Sequence, residues 1–293
     1  MPQNEVLWQL LDADRNPVGE RQSLIGMGPG EEVFGVSVVP AGAGFRAFVT
    51  VVNAEMGNRY VANRAVTDVT DPNGVTIDAV LLDGGPGASR VATDASGVDV
   101  MATSNGSYVS FYRPDTEEYI TNVLVSDMPD ADATSLEVVD LVALAGGGVA
   151  ALIGYVTSSG NKGLVVARTP LDNGSLLVVE PVAVGSTAQG ESGITMTTHT
   201  QASLAALPEG GYAVAWMLAE NRNDVVEPTV LLKTWVPNDR GALVPGLTQV
   251  VVSTPALDPA MPGHVPETSL TVLPDGDLLV AWMSFDPQNS WDI

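Results

Sequence analysis

The chain of 293 residues contains no cysteine, which excludes disulfide staples, thiolate nucleophiles and cysteine-held metals at once. Lysine is nearly absent too: only Lys162 and Lys233 occur, and the ten arginines are scattered singly. Against 12 basic residues stand 35 acidic ones, for a formal net charge of −23. Phosphate backbones and anionic lipid are bound through clustered Lys and Arg, so nucleic acid is not an expected partner. The first thirty residues lack a basic segment followed by an apolar one, so no secretory signal peptide is visible. Leu141 to Asn161 carries no charge and has the length of a membrane span, but Gly146, Gly147 and Gly148 interrupt it, and no membrane insertion is expected.

Nucleophile motifs are missing as well. There is no Gly-x-Ser-x-Gly elbow and no supported Ser-x-x-Lys arrangement. Gly26-Met27-Gly28-Pro29-Gly30 is a phosphate loop only in outline. Its proline lacks an amide donor, two glutamates follow, and the segment reads as a linker.

What is present is an apolar content of 45%, enough for a sizeable core, with 30 glycines and 20 prolines spread along the chain. Acidic surfaces with little lysine also suit salty surroundings, with ordinary surface variation as the plainer reading.

The strongest signal is a repeat. Ala202 to Met217 aligns without gaps to Thr268 to Met283, matching Leu204/Leu270, Leu207/Leu273, Pro208/Pro274, Gly210/Gly276, Val214/Val280 and Trp216/Trp282. Each copy is an apolar run, a Pro-acid-Gly turn and a second apolar run, which predicts a β-hairpin. Weaker copies are read at Val36–Val49, Val98–Tyr112 and Val138–Ile153. Second hairpins follow at 61–80, 164–179 and 230–252, whereas Tyr119–Val125 supplies one strand whose partner is doubtful.

Two hairpins per unit of roughly 40–60 residues predict an all-β fold, a β-propeller of four-stranded antiparallel blades. Five blades are expected in one domain over 1–293, at about 34–82, 95–127, 135–184, 199–253 and 266–293. The N-terminal hairpin, 4–24, would complete the last blade and close the ring.

Leu10 to Gly19 and Leu207 to Trp216 resemble the propeller-like repeats of large bacterial surface and secreted proteins, in which a "fDadGnpvG" turn alternates with an "aLadGGfvvaW" hairpin. Those repeats often accompany RTX calcium-binding arrays and type I secretion. The resemblance implies an extracellular or cell-surface location. Arg15 stands where the repeat has a turn glycine, and no Gly-Gly-x-Gly-x-Asp array is present.

Candidate chemistry is sparse. Asp99 and Asp140 fall inside or at the start of first-hairpin strands, where a ring-type glycosidase would place carboxylates, although each would equally serve as a strand-end acceptor. Asp127, Asp130 and Asp132 offer closely spaced oxygens for calcium, the one cofactor considered, but lack the glycine and glutamate of an EF-hand loop. His199 and His264 precede neighbouring hairpins without a third metal ligand. Trp216 and Trp282 recur at one repeat position and read as core, whereas Trp235 and Trp291 are candidate ligand contacts.

The expectation is a non-enzymatic binding or structural module, recognising a protein partner or glycan through loops such as 185–201 and 254–267. The alternative is a five-bladed glycoside-hydrolase-like or lectin-like carbohydrate-active protein.

Overall fold

A computed structural model describes residues 5–53, 58–66, 75–82, 89–116, 118–160, 162–169, 177–183, 194–195, 202–222, 225–253, 268–282, 284–286 and 290–292. Strands dominate, and the described residues contain no α-helix. The chain opens with a hairpin of β1 (Glu5–Leu11) and β2 (Pro17–Gly26). Sheet I follows with β3 (Glu31–Ala41), β4 (Gly44–Asn53), β5 (Asn58–Val66) and β6 (Val75–Leu82). Sheet II holds β7 (Arg90–Thr93), β8 (Asp99–Ser104), β9 (Tyr108–Arg113) and β10 (Glu118–Leu124). Sheet III holds β11 (Ala133–Ala143), β12 (Val149–Thr157), β13 (Lys162–Thr169) and β14 (Val178–Ala183). Sheet IV comprises β15 (Ile194–Thr195), β16 (Ser203–Ala206), β17 (Tyr212–Arg222), β18 (Val225–Pro237), β19 (Leu243–Pro245) and β20 (Gln249–Ser253). Two hairpins end the chain: β21 (Thr268–Val272) with β22 (Leu278–Trp282), and β23 (Ser284–Asp286) with β24 (Ser290–Asp292).

Sheets I, II and III are antiparallel meanders in chain order, and successive sheets stack face to face. Alternation of side chains lets each strand bury one residue forward and the next backward. Thus Val138, Leu141, Ala151 and Ile153 pack towards sheet II beside Val109, Phe111 and Val123, while Val139, Leu152 and Leu164 pack towards Leu204, Val214 and Trp216 of sheet IV. Smaller cores join sheet I to sheet II through Val39, Phe48, Val91 and Met101, and sheet IV to β21–β22 through Ala205, Leu207, Ala213 and Leu270. The first strands β3, β7, β11, β16 and β21 touch their successors in that order.

The repeat has a backbone cause. Gly97, Gly147, Gly210 and Gly276 occupy the same place in the four turns from β7 to β8, β11 to β12, β16 to β17 and β21 to β22. All four have positive φ, between 82° and 100°, which glycine adopts without strain.

One expectation needs correction. The second copy was placed one strand late. Its first hairpin is β7–β8, turning at Asp94–Gly97, whereas 98–112 spans β8 and β9 with Asn105 and Gly106 between them. The strand over 119–125 accordingly has a clear partner, since β10 pairs with β9. Closure of the ring is not seen in the strand pairing described. Among the described residues β1 pairs only with β2, and β22 only with β21. The N-terminal hairpin instead lays Leu24, Ile25 and Met27, with Val6 and Trp8, on Ala47, Val49 and Val51 of sheet I. Apolar burial on that face holds the hairpin there.

Candidate functional site

The first strands are laced by side chains reaching the next strand's backbone. Ser37 Oγ on β3 accepts the Val91 amide of β7 at 3.0 Å. Arg90 Nε on β7 donates to the Val139 carbonyl of β11 at 2.9 Å. Asp140 Oδ2 on β11 accepts the Leu204 amide of β16 at 2.9 Å, and Ser203 Oγ on β16 accepts the Leu270 amide of β21 at 3.2 Å. Arg90, Asp140 and Ser203 hold the same position relative to the turn glycine of their repeats, seven residues before it.

Within this belt β11 carries a carboxylate pair. In a regular strand Glu137 and Asp140 would face opposite sides. A bulge between Val138 and Asp140 changes that: Glu137 stands opposite Gly154 and Asp140 opposite Leu152, both on the face turned to sheet IV. Since Gly154 has no side chain, Glu137 meets no cross-strand neighbour on β12. Glu137 is half-buried, and burial pushes its carboxyl above the ordinary range, with Arg90 and Lys162 acting in the opposite direction. No hydrogen bond engages it among the described residues. Asp140 is also pushed up by burial, opposed by the amides of Leu204 and Leu141 and by Arg90. Its oxygens are committed: Oδ1 accepts the Leu141 amide at 2.9 Å, and Oδ2 the Leu204 amide and, at 3.5 Å, the Ser203 hydroxyl. One carboxyl is therefore fastened and the other is not.

The structure does not bring Asp99 to this pair. It begins β8, a second strand, and its carboxylate is fully buried. Arg46 of sheet I approaches Asp99 Oδ2 at 2.6 Å, and the Thr93 hydroxyl donates to Oδ1 at 2.6 Å. The same guanidinium reaches Asp115 at 3.0 Å. Burial raises the Asp99 carboxyl, against the pull of Thr93 and Arg46. Asp99 thus clamps sheet II to sheet I, while Asp140 fastens sheet III to sheet IV.

The acidic segment 127–132 joins β10 to β11, and each carboxylate has its own protein donor. Asp127 accepts the Leu124 amide at 2.8 Å, Asp130 the Tyr155 hydroxyl at 2.6 Å, and Asp132 the Ser158 hydroxyl at 3.0 Å. Among the described residues no three acids or histidines converge as metal ligands. Trp235 is corrected from ligand contact to core: it is 2% exposed and stacks on Tyr212 at 4.9 Å, with Lys233 Nζ 4.8 Å from its ring. The aromatic pair closes the core between sheets III and IV, so no ligand can reach its faces. Trp216 is buried there as expected. Trp291 pairs through its backbone with Phe285, but its side chain lies outside the described residues. His199, His264 and the loops 185–201 and 254–267 also lie outside them, apart from the short strand β15.

Glu137 and Arg90 were missed by sequence reasoning because a bulge leaves no composition signal. The spacing from Arg90 to Gly97, equal to that from Ser203 to Gly210, was the available clue.

No family model matches the chain, and no curated protein matches it. Solved structures similar to it include a xylan β-1,4-xylosidase from Bacillus halodurans, at 12% identity and TM-score 0.42 over 73% of this chain and 43% of that one. A substituted GH43 protein, BlXynB, from Bacillus licheniformis is similar at 13% identity and TM-score 0.40, over 74% of this chain and 44% of that one. The catalytic domain of a GH62 α-L-arabinofuranosidase from Coprinopsis cinerea matches at 14% identity and TM-score 0.40, covering 89% of this chain and 87% of that one. The chain spans less than half the length of the first two. The expectation of a module without enzymatic activity stands against these neighbours, whose names are those of glycoside hydrolases. Hydrolysis by carboxylates on separate strands needs no linear nucleophile motif, so the missing motifs never excluded it.

Proposed function

We propose that the chain is a carbohydrate-active β-propeller domain, five-bladed and closed, with its saccharide site beside Glu137 on β11. The observation that carries the site is Glu137 itself: half-buried, raised by burial, without a hydrogen-bond partner among the described residues, and opposite a glycine. A carboxyl whose value is raised in this way is suited to donate a proton to a leaving glycosidic oxygen. Asp140 lies on the same face and, by holding β16, positions the wall towards sheet IV. Glycans with a GH43-like or GH62-like linkage are the first substrates to try.

The test is a panel of xylan- and arabinan-derived oligosaccharides, assayed for binding and for released sugar. Turnover should fall as pH rises through the raised Glu137 value, and Glu137→Gln should abolish turnover while keeping binding. If no glycan is bound or cleaved, the reading is wrong.

Closure is supported by two uncovered apolar faces. Phe34, Val36 and Val38 of β3 are 52%, 42% and 58% exposed, and Leu273 and Leu279, in and beside the β21–β22 hairpin, are 37% and 50% exposed. In the proposed ring these faces meet, and β1 continues the sheet begun by β21 and β22. A cysteine-free chain makes the test clean. Pairs scanned along β1 and β22, starting with Leu7→Cys and Leu279→Cys, should oxidise to a disulfide in at least one register. Failure in every register would leave the ring open.

A further inference from the structure

The outer edge of sheet IV differs from the other outer strands. β19 and β20 are two parts of one edge along β18, joined through the Gly246 amide, which donates to the Thr234 carbonyl at 2.7 Å. Among the described residues β20 pairs only with β18, leaving its other side without a strand. The stretch Gly241–Ser253 contains no charged residue, in a chain of net charge −23. By contrast, β6 carries Asp78, β10 carries Glu118 and β14 carries Glu180. Val244, Leu247, Val250 and Val251 are 44%, 87%, 64% and 37% exposed.

Natural sheets protect their edges with charges, prolines, bulges or covering loops, because an open row of amides and carbonyls recruits another strand. Pro245 guards β19, whereas the run Gln249-Val250-Val251-Val252-Ser253 has neither charge nor proline and is interrupted only by a bulge at Val251. We propose that β20 is a self-association edge, along which a second copy of this chain adds antiparallel to form a two-fold dimer through a continuous sheet.

Charge identifies the occupant. Two copies each carrying a charge of −23 repel over most of their surfaces, and an uncharged edge is where they can approach without placing acid against acid. The strand is also complementary to itself. An antiparallel second copy sets uncharged Val, Gln and Ser residues against their own counterparts by symmetry, on either side of the bulge at Val251. A basic partner protein would instead seek the acidic faces.

Sedimentation and light scattering of the full chain across a salt series decide the matter. The dimer should tighten as salt screens the mutual repulsion, the opposite trend to a charge-driven complex. Val251→Lys and Val250→Lys, both at exposed positions, should raise the dissociation constant by about tenfold or more without changing the melting temperature of the monomer. Amide exchange over 249–253 should slow with protein concentration in the natural chain and not in either variant. A monomer under all conditions would overturn the proposal. So would a dimer that both lysine variants leave intact, or one that Val36→Lys on β3 disrupts in their place.

Discussion

The junction between sheets III and IV and the proposed seam between β22 and sheet I draw on the same repeat, yet they differ in what covers them. At the III–IV junction Val139, Leu152, Leu164, Tyr212, Trp216 and Trp235 form one buried core, and Asp140 fastens β16 to β11. At the proposed seam Phe34, Val36 and Val38 remain exposed. The difference separates two functions of the repeat. Hairpin turns make each sheet, and a buried core together with the belt of polar side chains sets one sheet against the next.

The largest expected effect lies within sheet IV, at the edge of that junction. A Cβ on Gly211 would sit 1.9 Å from the Trp235 carbonyl oxygen, a backbone atom that cannot swing aside. Gly211→Ala should therefore cost more than about 3 kcal/mol in urea unfolding. A loss below about 1 kcal/mol would mean that β17 and β18 approach less closely than described. Next is Asp140→Ala, which strands the Leu204 and Leu141 amides and should cost about 1–3 kcal/mol. Ser37→Ala, which removes a single acceptor between sheets I and II, should cost about 1 kcal/mol.

The seam gives a smaller effect that sharpens the contrast. If the ring closes as proposed, Val38→Lys buries a charge end against β21–β22 and should cost about 1–2 kcal/mol. A change within about 0.5 kcal/mol would place the residue on an open surface.

Proton linkage comes next. Asp99, Glu137 and Asp140 have raised folded-state values, each chiefly through burial. Between the ordinary carboxylate value, about 4, and those raised values, the folded chain binds more protons than the unfolded one. Stability should therefore fall as pH rises through that window. Asp94 works the other way. Burial opposes the shift, but bonds from Ser96 and the Val98 amide lower its value, so its contribution is lost on further acidification. Thermal melts should thus show a maximum in mildly acidic buffer, and Asp99→Asn should flatten the alkaline side.

The smallest effect concerns the first turn. Arg15 has φ of 65°, in the region that glycine tolerates best, within a turn held by the Asp12 carboxylate and the Asn16 amide at 2.8 Å. Arg15→Gly should stabilise by up to about 1 kcal/mol, read as a rise in melting temperature.

Much of the fold was legible because turn glycines and alternating apolar runs are local. Leu207-Pro208-Glu209-Gly210 announces its hairpin, whereas Asp94-Ala95-Ser96-Gly97 lacks the leucine and proline, and the more conspicuous Asn105-Gly106 displaced it. The site was less legible. Trp235 reads as a free ring near a strand end until sheet stacking buries it beneath Tyr212. Glu137 joins the face of Asp140 only through a bulge, which depends on pairing with β12 and not on any residue type in β11.

Ser203 stands between two neighbours: its hydroxyl lies 3.5 Å from Asp140 on one side and takes the Leu270 amide at 3.2 Å on the other. Such a group behaves as a coupling pin, transmitting slippage of one strand to both flanking sheets. The molecule should consequently resist tension as a unit and rupture in one event, rather than unravelling hairpin by hairpin.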